Sequence, residues 1–201
     1  MGYGVMAYAV PLELVSGCVG ARDPGLLATL LADFGAAPAI DELLADARSP
    51  ASEDLPTARE LLRHLVMDEP ARSGLGFAYG YCFKYLCDRY GEFLDNSAWY
   101  PIGFDFVEEV QAELGRQGIS DDVLSVADLV WGGAPVPLPP IDDFPGIGHL
   151  TRARVPTARA ILAGVDLTRV ADPGVRSGLS GLAGWFDDCL RAGLDLVCFY
   201  H

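Results

Sequence analysis

The sequence predicts an α+β fold, in which several helices pack on a small mixed sheet that includes the N- and C-terminal strands. The chain begins with a short apolar and aromatic run, Tyr3 to Val10, which Pro11 stops. It ends with a continuous apolar run, Leu194 to Tyr200, of the kind found in strands buried on both faces. Between these runs, apolar residues recur at helical spacing in several segments that begin with capping residues.

Helix signals are dense in the first half of the chain. Asp23 is a preferred N-cap residue and Pro24 suits the first helical position, so we expect a helix to begin there. The residues from Leu75 to Tyr90 alternate like a strand but also repeat at helical spacing, and their length favours a helix. The predicted helices of this half are 24–34, 40–47, 54–67 and 75–90.

The second half of the chain alternates helices with irregular segments. Residues 91–103 read as an irregular connection, and Asp105 and Ser120 are the expected caps of the next two helices. After Trp131 a Pro-rich loop covers residues 134–148, and this loop is long enough to be a candidate functional element. The remaining predicted elements are a strand over 149–155, a helix from Pro156, and a helix from Pro173 to Ala192.

Length and charge limit the classes of partner. A chain of 201 residues predicts a single domain over residues 1–201. Its 28 acidic and 14 basic residues give a formal net charge of -14. Nucleic acids and anionic membranes are polyanions, so this charge argues against both as partners and leaves a basic protein as the expected one.

The termini and the cysteines predict a cytoplasmic protein. The N-terminal residues carry no basic region, and the sequence has no apolar run of membrane-spanning length. The five cysteines are odd in number and form no C-x-x-C pair, which indicates reduced thiols.

Motifs of the familiar enzyme classes are missing from the sequence. It holds no G-x-G-x-x-G, no P-loop lysine and no G-x-S-x-G, and its histidines, His64, His149 and His201, are far apart. Adjacent carboxylates such as Glu108 and Glu109 diverge by about 100° on a helix, so they are not a catalytic pair. We therefore predict no catalytic residue, no metal ligand and no cofactor, which favours a protein without enzymatic activity.

The Pro-rich loop and its flanks hold the best candidate site. Aromatic and carboxylate side chains are concentrated there, with one histidine directly after the loop. Aromatic walls with a few polar groups suit a ligand or partner site. The predicted binding residues are Trp131, Asp142, Asp143, Phe144 and His149, together with Trp99 from the irregular connection.

Several segments also carry a family resemblance. They are Met1-Gly2-Tyr3, residues 61–65, 94–99, 129–140 and 142–148, and the Trp185-Phe186 pair. In these segments the chain resembles the YfbM-like family of uncharacterised bacterial proteins, and more closely an actinobacterial group of unknown function. The resemblance implies one domain with an α+β fold similar to the one derived above, and it supplies no activity and no catalytic residue.

Two functional hypotheses follow. The first is a non-catalytic module whose acidic surface docks a basic partner protein, for example an immunity-type inhibitor, because long-range attraction accelerates association. The alternative is a small-molecule-binding or enzymatic domain with a pocket under the loop at residues 131–149. The sequence leaves the oligomeric state and the conformation of the loop open.

Overall fold

The chain groups into two compact units. The computed structural model describes residues 2–34 and 55–201, so the helix predicted over 40–47 lies outside the described residues. Unit 1 comprises Met1–Leu12, Gly91–Pro135 and Gly146–His201, and unit 2 comprises Glu13–Tyr90 and Val136–Pro145. The single-domain assignment over residues 1–201 stays a prediction.

Unit 1 is built on a four-stranded sheet. Its strands are β1 (Val5–Val10), β2 (Glu92–Phe93), β3 (Gly146–Leu150) and β4 (Asp195–Tyr200), in the order β2-β1-β4-β3. The α+β class and the presence of both terminal strands in the sheet are confirmed. Every pairing is antiparallel, so the predicted mixed arrangement is wrong. An apolar run shows that a strand is buried, but it carries no information about the direction of the neighbouring strand.

Four helices of the described residues begin after a residue whose side chain accepts a backbone amide of the first turn, whereas Asp105 and Arg154 stand at helix starts without such a bond. The helices in the described part of the chain are α1 (Leu12–Cys18), α2 (Pro24–Asp33), α3 (Ala58–Met67), α4 (Gly76–Tyr90), α5 (Phe106–Arg116), α6 (Val126–Trp131), α7 (Val155–Ala163) and α8 (Pro173–Ala192). Asp23 accepts the amides of Gly25 and Leu26, and Asp172 accepts that of Val175. The predicted α2 and α8 are confirmed. Their cap residues bond to amides only two or three residues away, so the local sequence is enough to predict where these helices begin.

Three predicted boundaries are displaced. The helix predicted from residue 54 begins at Ala58, after the capping Thr57. The second strand lies over Gly146–Leu150, and Val155 already begins α7, so the predicted strand over 149–155 starts too late. Ser125 accepts the amide of Asp128 and caps α6, so the helix expected from Ser120 begins later. At α6 a neighbouring residue of the same chemical type, Ser125, supplies the start.

Each unit has its own core. In unit 1 the fully buried large side chains are Trp99, Leu114, Leu179, Phe186 and Phe199, and all six residues of β4 are buried. In unit 2 they are Leu30, Leu61, Leu62, Tyr79, Phe83 and Leu86, which come from α2, α3 and α4. No helix in the described part of the chain combines the length and the apolar character that crossing a membrane requires.

Candidate functional site

One end of the unit 1 sheet is formed by glycines on either side of the C-terminal strand. Tyr200 of β4 pairs with Gly146 of β3, and the backbones of Gly4 and His201 exchange hydrogen bonds of 2.7 and 3.1 Å. A Cβ on Gly146 would lie 2.5 Å from Cδ1 of Trp131, and one on Gly4 would lie 2.2 Å from a ring carbon of Tyr100. The missing side chains of these glycines therefore let two aromatic rings lie directly on the strand ends.

Four aromatic rings contact one another in sequence at this end of the sheet. The Phe104 and Tyr3 rings meet edge to face with centroids 5.6 Å apart, and Tyr3 stacks on Tyr200 at 5.8 Å. Tyr200 in turn meets Trp131 at 5.2 Å in a T-shaped contact. We call Phe104, Tyr3, Tyr200 and Trp131 the aromatic row. Such ring pairs contribute about 0.5–1.5 kcal/mol each beyond the area that they bury.

The segment around residue 102 holds Phe104 in this row. The amide of Ile102 donates to the carbonyl oxygen of Tyr3 at 2.9 Å, and the two residues form an antiparallel bridge. This pairing brings Phe104 beside Tyr3, directly before α5. The location of Phe104 is thus set by this backbone bridge to Tyr3 and not by packing in the core.

The outer members of the aromatic row are open to solvent, whereas Tyr3 is half-buried and Tyr200 is buried. Phe104 is 65% exposed and Trp131 is 42% exposed, and Tyr100, which covers Gly4, is 51% exposed. Tyr200 is only 2% exposed, and its ring contacts both Tyr3 and Trp131. Large aromatic side chains are rarely left this open without a binding role when several lie together.

Carboxylates lie next to the row. Burial raises the pKa of Tyr200, and the nearby Tyr3, Glu108 and Asp105 raise it further. Both carboxylate residues are exposed and stand at the start of α5. Residues 92–128 contain nine acidic side chains against one basic side chain, whereas residues 146–201 of the same unit are nearly balanced, with five against six. The whole net negative charge of unit 1 is therefore concentrated on the segment that carries Phe104.

This combination of groups suits one kind of ligand. Exposed aromatic faces attract the side chains of arginine and lysine through cation–π contacts, and adjacent carboxylates add hydrogen-bonded ion pairs. Aromatic residues are also the side chains most enriched in the core of protein interfaces. Chemically, the aromatic row with Asp105 and Glu108 can bind a basic surface.

The six predicted site residues fall in different places. Trp131 is in the aromatic row. Trp99 is 1% exposed, its indole N–H donates to the Gly178 carbonyl at 3.0 Å, and its ring packs against Phe106 and Trp185 in the core of unit 1. His149 lies on β3, with Nδ1 3.1 Å from the carbonyl oxygen of Gly133.

The other three predicted residues belong to unit 2. Asp142 and Asp143 are exposed there, and Phe144 is partly buried. These three residues follow Trp131 closely in the sequence but belong to a different unit. The chain leaves unit 1 after Pro135 and returns to it at Gly146.

Sequence reasoning missed the other side chains of the row. Tyr3 was assigned to the first strand, and Phe104, which precedes a predicted helix, was not predicted to be a site residue. The glycines at positions 4 and 146 were the available signal, since an isolated glycine at a strand end often marks a close approach of another group. Without the pairing of the strands, that signal does not show which ring approaches.

The thiols and the possible metal ligands add no reactive centre in the described residues. All five cysteines are free and buried, and burial raises the pKa of Cys189 to about 12. A thiol with a raised pKa is a poor nucleophile, because the thiolate is the reactive form. Within residues 2–34 and 55–201, no group of three or more His, Cys, Asp or Glu side chains is arranged to hold a metal ion.

Comparison with known proteins gives a family but no activity. The family model described as a domain of unknown function (DUF7691) matches residues 1–201. No curated protein and no solved structure matches the chain. Since the match covers the whole sequence, the chain belongs to the DUF7691 family.

Proposed function

We propose that this member of the DUF7691 family is a non-catalytic binding module that docks a basic partner protein through the aromatic row and its neighbouring carboxylates. Contact is made by Phe104, Tyr3 and Trp131, and charge complementarity is provided by Asp105 and Glu108. An immunity-type inhibitor of a basic toxin is the sharpest form of this proposal.

The exposed aromatic row is the single observation that carries the proposal. Phe104 and Trp131 are 65% and 42% exposed, yet each ring packs against a neighbouring tyrosine ring. A rigid aromatic side chain loses little conformational entropy on binding, so more of its contact energy remains as affinity. The two rings therefore have the properties of interface anchors.

The charge of the surrounding segment supports a basic partner. Residues 92–128 carry a net charge of -8, and a local excess of this size produces a field that attracts cationic surfaces. Such attraction raises the association rate and weakens with salt, because the Debye length shrinks to about 8 Å at physiological ionic strength. Binding through this surface is accordingly expected to depend strongly on salt.

Two finer statements belong to the same proposal. A cytoplasmic location is supported by the five free thiols, since reducing compartments keep cysteines unpaired. The relationship to the YfbM-like family rests on the resembling segments alone.

The test is a pull-down from native host lysate with the wild-type chain and the double variant Phe104→Ala/Trp131→Ala. We expect a basic protein to be retained by the wild type at about 50 mM salt and released by about 300 mM salt. Loss of two aromatic anchors is expected to weaken its binding by at least about tenfold.

The matched control is Leu190→Ala, which removes a side chain that is 40% exposed on α8, outside the aromatic row. It should retain the same basic protein as the wild type. The double variant should melt somewhat lower because it loses two ring contacts, and circular dichroism should show all three chains folded at the temperature of the pull-down. An eluate without a basic protein, or a basic protein that the double variant retains equally well, contradicts the proposal.

A further inference from the structure

Unit 2 contains a cavity of about 670 Å³ that lies under part of the Pro-rich loop. Its lining comes from the turn after α1, from the end of α3 and the segment that follows it, from Tyr79 of α4, and from Pro137 to Pro140. Sites for small molecules typically enclose about 300–1,000 Å³. The cavity therefore has the size of a ligand site, and none of the six residues predicted from the sequence lines it.

The loop wall of the cavity depends on two glycines of α4. A Cβ on Gly76 would lie 1.8 Å from the carbonyl oxygen of Pro140, and one on Gly80 would lie 3.0 Å from Cδ1 of Ile141. The loop can approach α4 this closely only because both positions lack side chains. This contact holds Pro137 to Pro140 as a fixed apolar wall.

A buried phenol organises the polar side of the cavity. Tyr79 is 1% exposed, and its oxygen accepts the backbone N–H of Arg72 at 3.0 Å. The same oxygen lies 2.9 Å from Nδ1 of His64. Burial raises the pKa of Tyr79, so the phenol keeps its proton. The phenol O–H lies within hydrogen-bond reach of Nδ1, and we assign it as the donor there, which places the proton of a neutral imidazole on Nε2.

This arrangement leaves His64 with a donor to offer. Its Nε2 lies 3.7 Å from the Glu69 carboxylate, which is too long for a hydrogen bond. The Glu69 carboxylate instead pairs with Arg63 at 3.0 Å. Because His64 lines the cavity, this assignment makes its Nε2–H available to an acceptor atom on a ligand.

Arg72 supplies a positive charge beside this donor. Arg22 pairs with Asp68 and Arg63 pairs with Glu69, so each carboxylate that lines the cavity has an arginine partner. Arg72 has no ion-pair partner among residues 2–34 and 55–201, and its guanidinium is close enough to lower the pKa of Tyr79 against the effect of burial. Ser73 adds a hydroxyl at the same rim.

We infer that the cavity binds a small organic acid with an apolar body, whose carboxylate is held by the Arg72 guanidinium and the Nε2–H of His64. The apolar body lies against Leu65, Leu138 and the loop prolines. A guanidinium binds a carboxylate through parallel hydrogen bonds, and hydrogen bonds to charged groups are about twice as strong as neutral ones. All residues that line the site belong to unit 2, so this inference does not depend on the docking surface proposed in unit 1.

The carboxylate is preferred over two related head groups for a physical reason. A primary amine would bring a second cation to Arg72 and offer donors to a donor, His64. A neutral amide would keep an acceptor but lose the ionic part of the interaction. Three probes of equal chain length, octanoate, octanamide and octylamine, therefore separate the alternatives.

The test measures binding of these three probes to the full chain by isothermal titration calorimetry. We expect octanoate to bind about tenfold more tightly than octanamide, with octylamine weaker still. In Arg72→Gln the preference for octanoate over octanamide should disappear, while the affinity for octanamide stays near its wild-type value.

The matched control is Arg59→Gln, which changes the net charge equally on α3 but does not line the cavity. It should keep the full preference for octanoate. Equal binding of the three probes, no binding of octanoate at millimolar concentration, or a preference that survives in Arg72→Gln would each overturn the inference. A normal melting curve for Arg72→Gln ensures that loss of preference reports the site and not unfolding.

Discussion

The two units carry the same formal net charge, -7 each, but they distribute it in different ways. In unit 1 the charge collects on residues 92–128, next to aromatic rings that are open to solvent. In unit 2 the carboxylates at the cavity are paired with Arg22 and Arg63, and Arg72 is left to face the cavity. Under the two proposals, equal charge goes with opposite ligand preferences, because local pairing and not total charge decides what each surface attracts.

The units also differ in what holds the site in place. In unit 1 the rings lie on strand ends, so the sheet positions them. In unit 2 the cavity wall is a loop that rests on the glycine-containing face of α4. A change in the sheet should accordingly affect the whole of unit 1, whereas a change at the loop contact should affect mainly the cavity.

The largest expected effect is at Gly148 of β3. A Cβ there would lie 2.3 Å from the carbonyl oxygen of Asp128 and 2.4 Å from that of Leu129, both backbone atoms at α6. The strand cannot move away without breaking its hydrogen bonds to β4, and α6 cannot move away without losing its packing on the sheet. Gly148→Ala should therefore lower the free energy of unfolding by about 3 kcal/mol or more. Chemical denaturation measures this loss. Gly184→Ala, whose Cβ meets nothing within 4 Å in α8, is the control and should be neutral or slightly stabilising.

A smaller loss is expected at Gly76 of α4. Its Cβ would lie 1.8 Å from the carbonyl oxygen of Pro140, but the loop can shift where a strand cannot. Gly76→Ala should therefore cost about 2 kcal/mol in the free energy of unfolding and should weaken octanoate binding at the same time. Gly17→Ala in α1, where a Cβ meets nothing within 4 Å, should change neither quantity. Unchanged octanoate binding in Gly76→Ala would show that the loop contact does not shape the cavity.

Removal of the Tyr79 hydroxyl tests the polar base of the cavity. In Tyr79→Phe the amide of Arg72 and Nδ1 of His64 lose their partner at a partly buried position, which should cost about 1–3 kcal/mol. Thermal unfolding followed by circular dichroism measures the loss. The comparison variant Tyr100→Phe removes a hydroxyl from a side chain that is 51% exposed, and it should leave the melting curve unchanged. Equal stability of Tyr79→Phe and the wild type would contradict the hydrogen-bonded base.

The smallest effect is a change with pH in unit 1. Hydrogen bonds from Gln117 and Arg116 hold the pKa of Glu113 below its ordinary value of 4.5. A carboxylate whose pKa is lower in the folded chain stabilises the fold fully above its ordinary pKa, and this contribution is lost as the pH falls through the lowered value. The difference in the free energy of unfolding between the wild type and Glu113→Gln should therefore shrink as the solution is acidified below pH 4.5. A difference that stays constant over that range would contradict the assignment.

Local signals in the sequence predicted most of the elements. The capping residues Asp23 and Asp172 and the apolar run of β4 act over a few residues, so the sequence reveals them directly. The helix over Gly76–Tyr90 was correctly preferred to a strand on its length. By contrast, α1 was missed, because Leu12–Cys18 is short and has no strong cap, and β2 was missed, because two residues carry no readable alternation.

The candidate sites were harder to predict than the elements. Trp131 was singled out because it borders a long loop, and it lies in the aromatic row. Its partners Tyr3, Phe104 and Tyr200 come from three other parts of the chain. His64 was considered only as one of three widely spaced histidines, since nothing in the sequence near it indicates the contact with the Tyr79 phenol fifteen positions away.

By itself the sequence determined the fold class, the acidic charge and the positions of most helices, because these depend on composition and on contacts a few residues apart. The tertiary structure decided which side chains meet: the rings at the ends of β1, β3 and β4, and the donors around the cavity in unit 2. Those meetings depend on strand pairing and on close backbone approach at glycines, and both join residues that are distant in the chain.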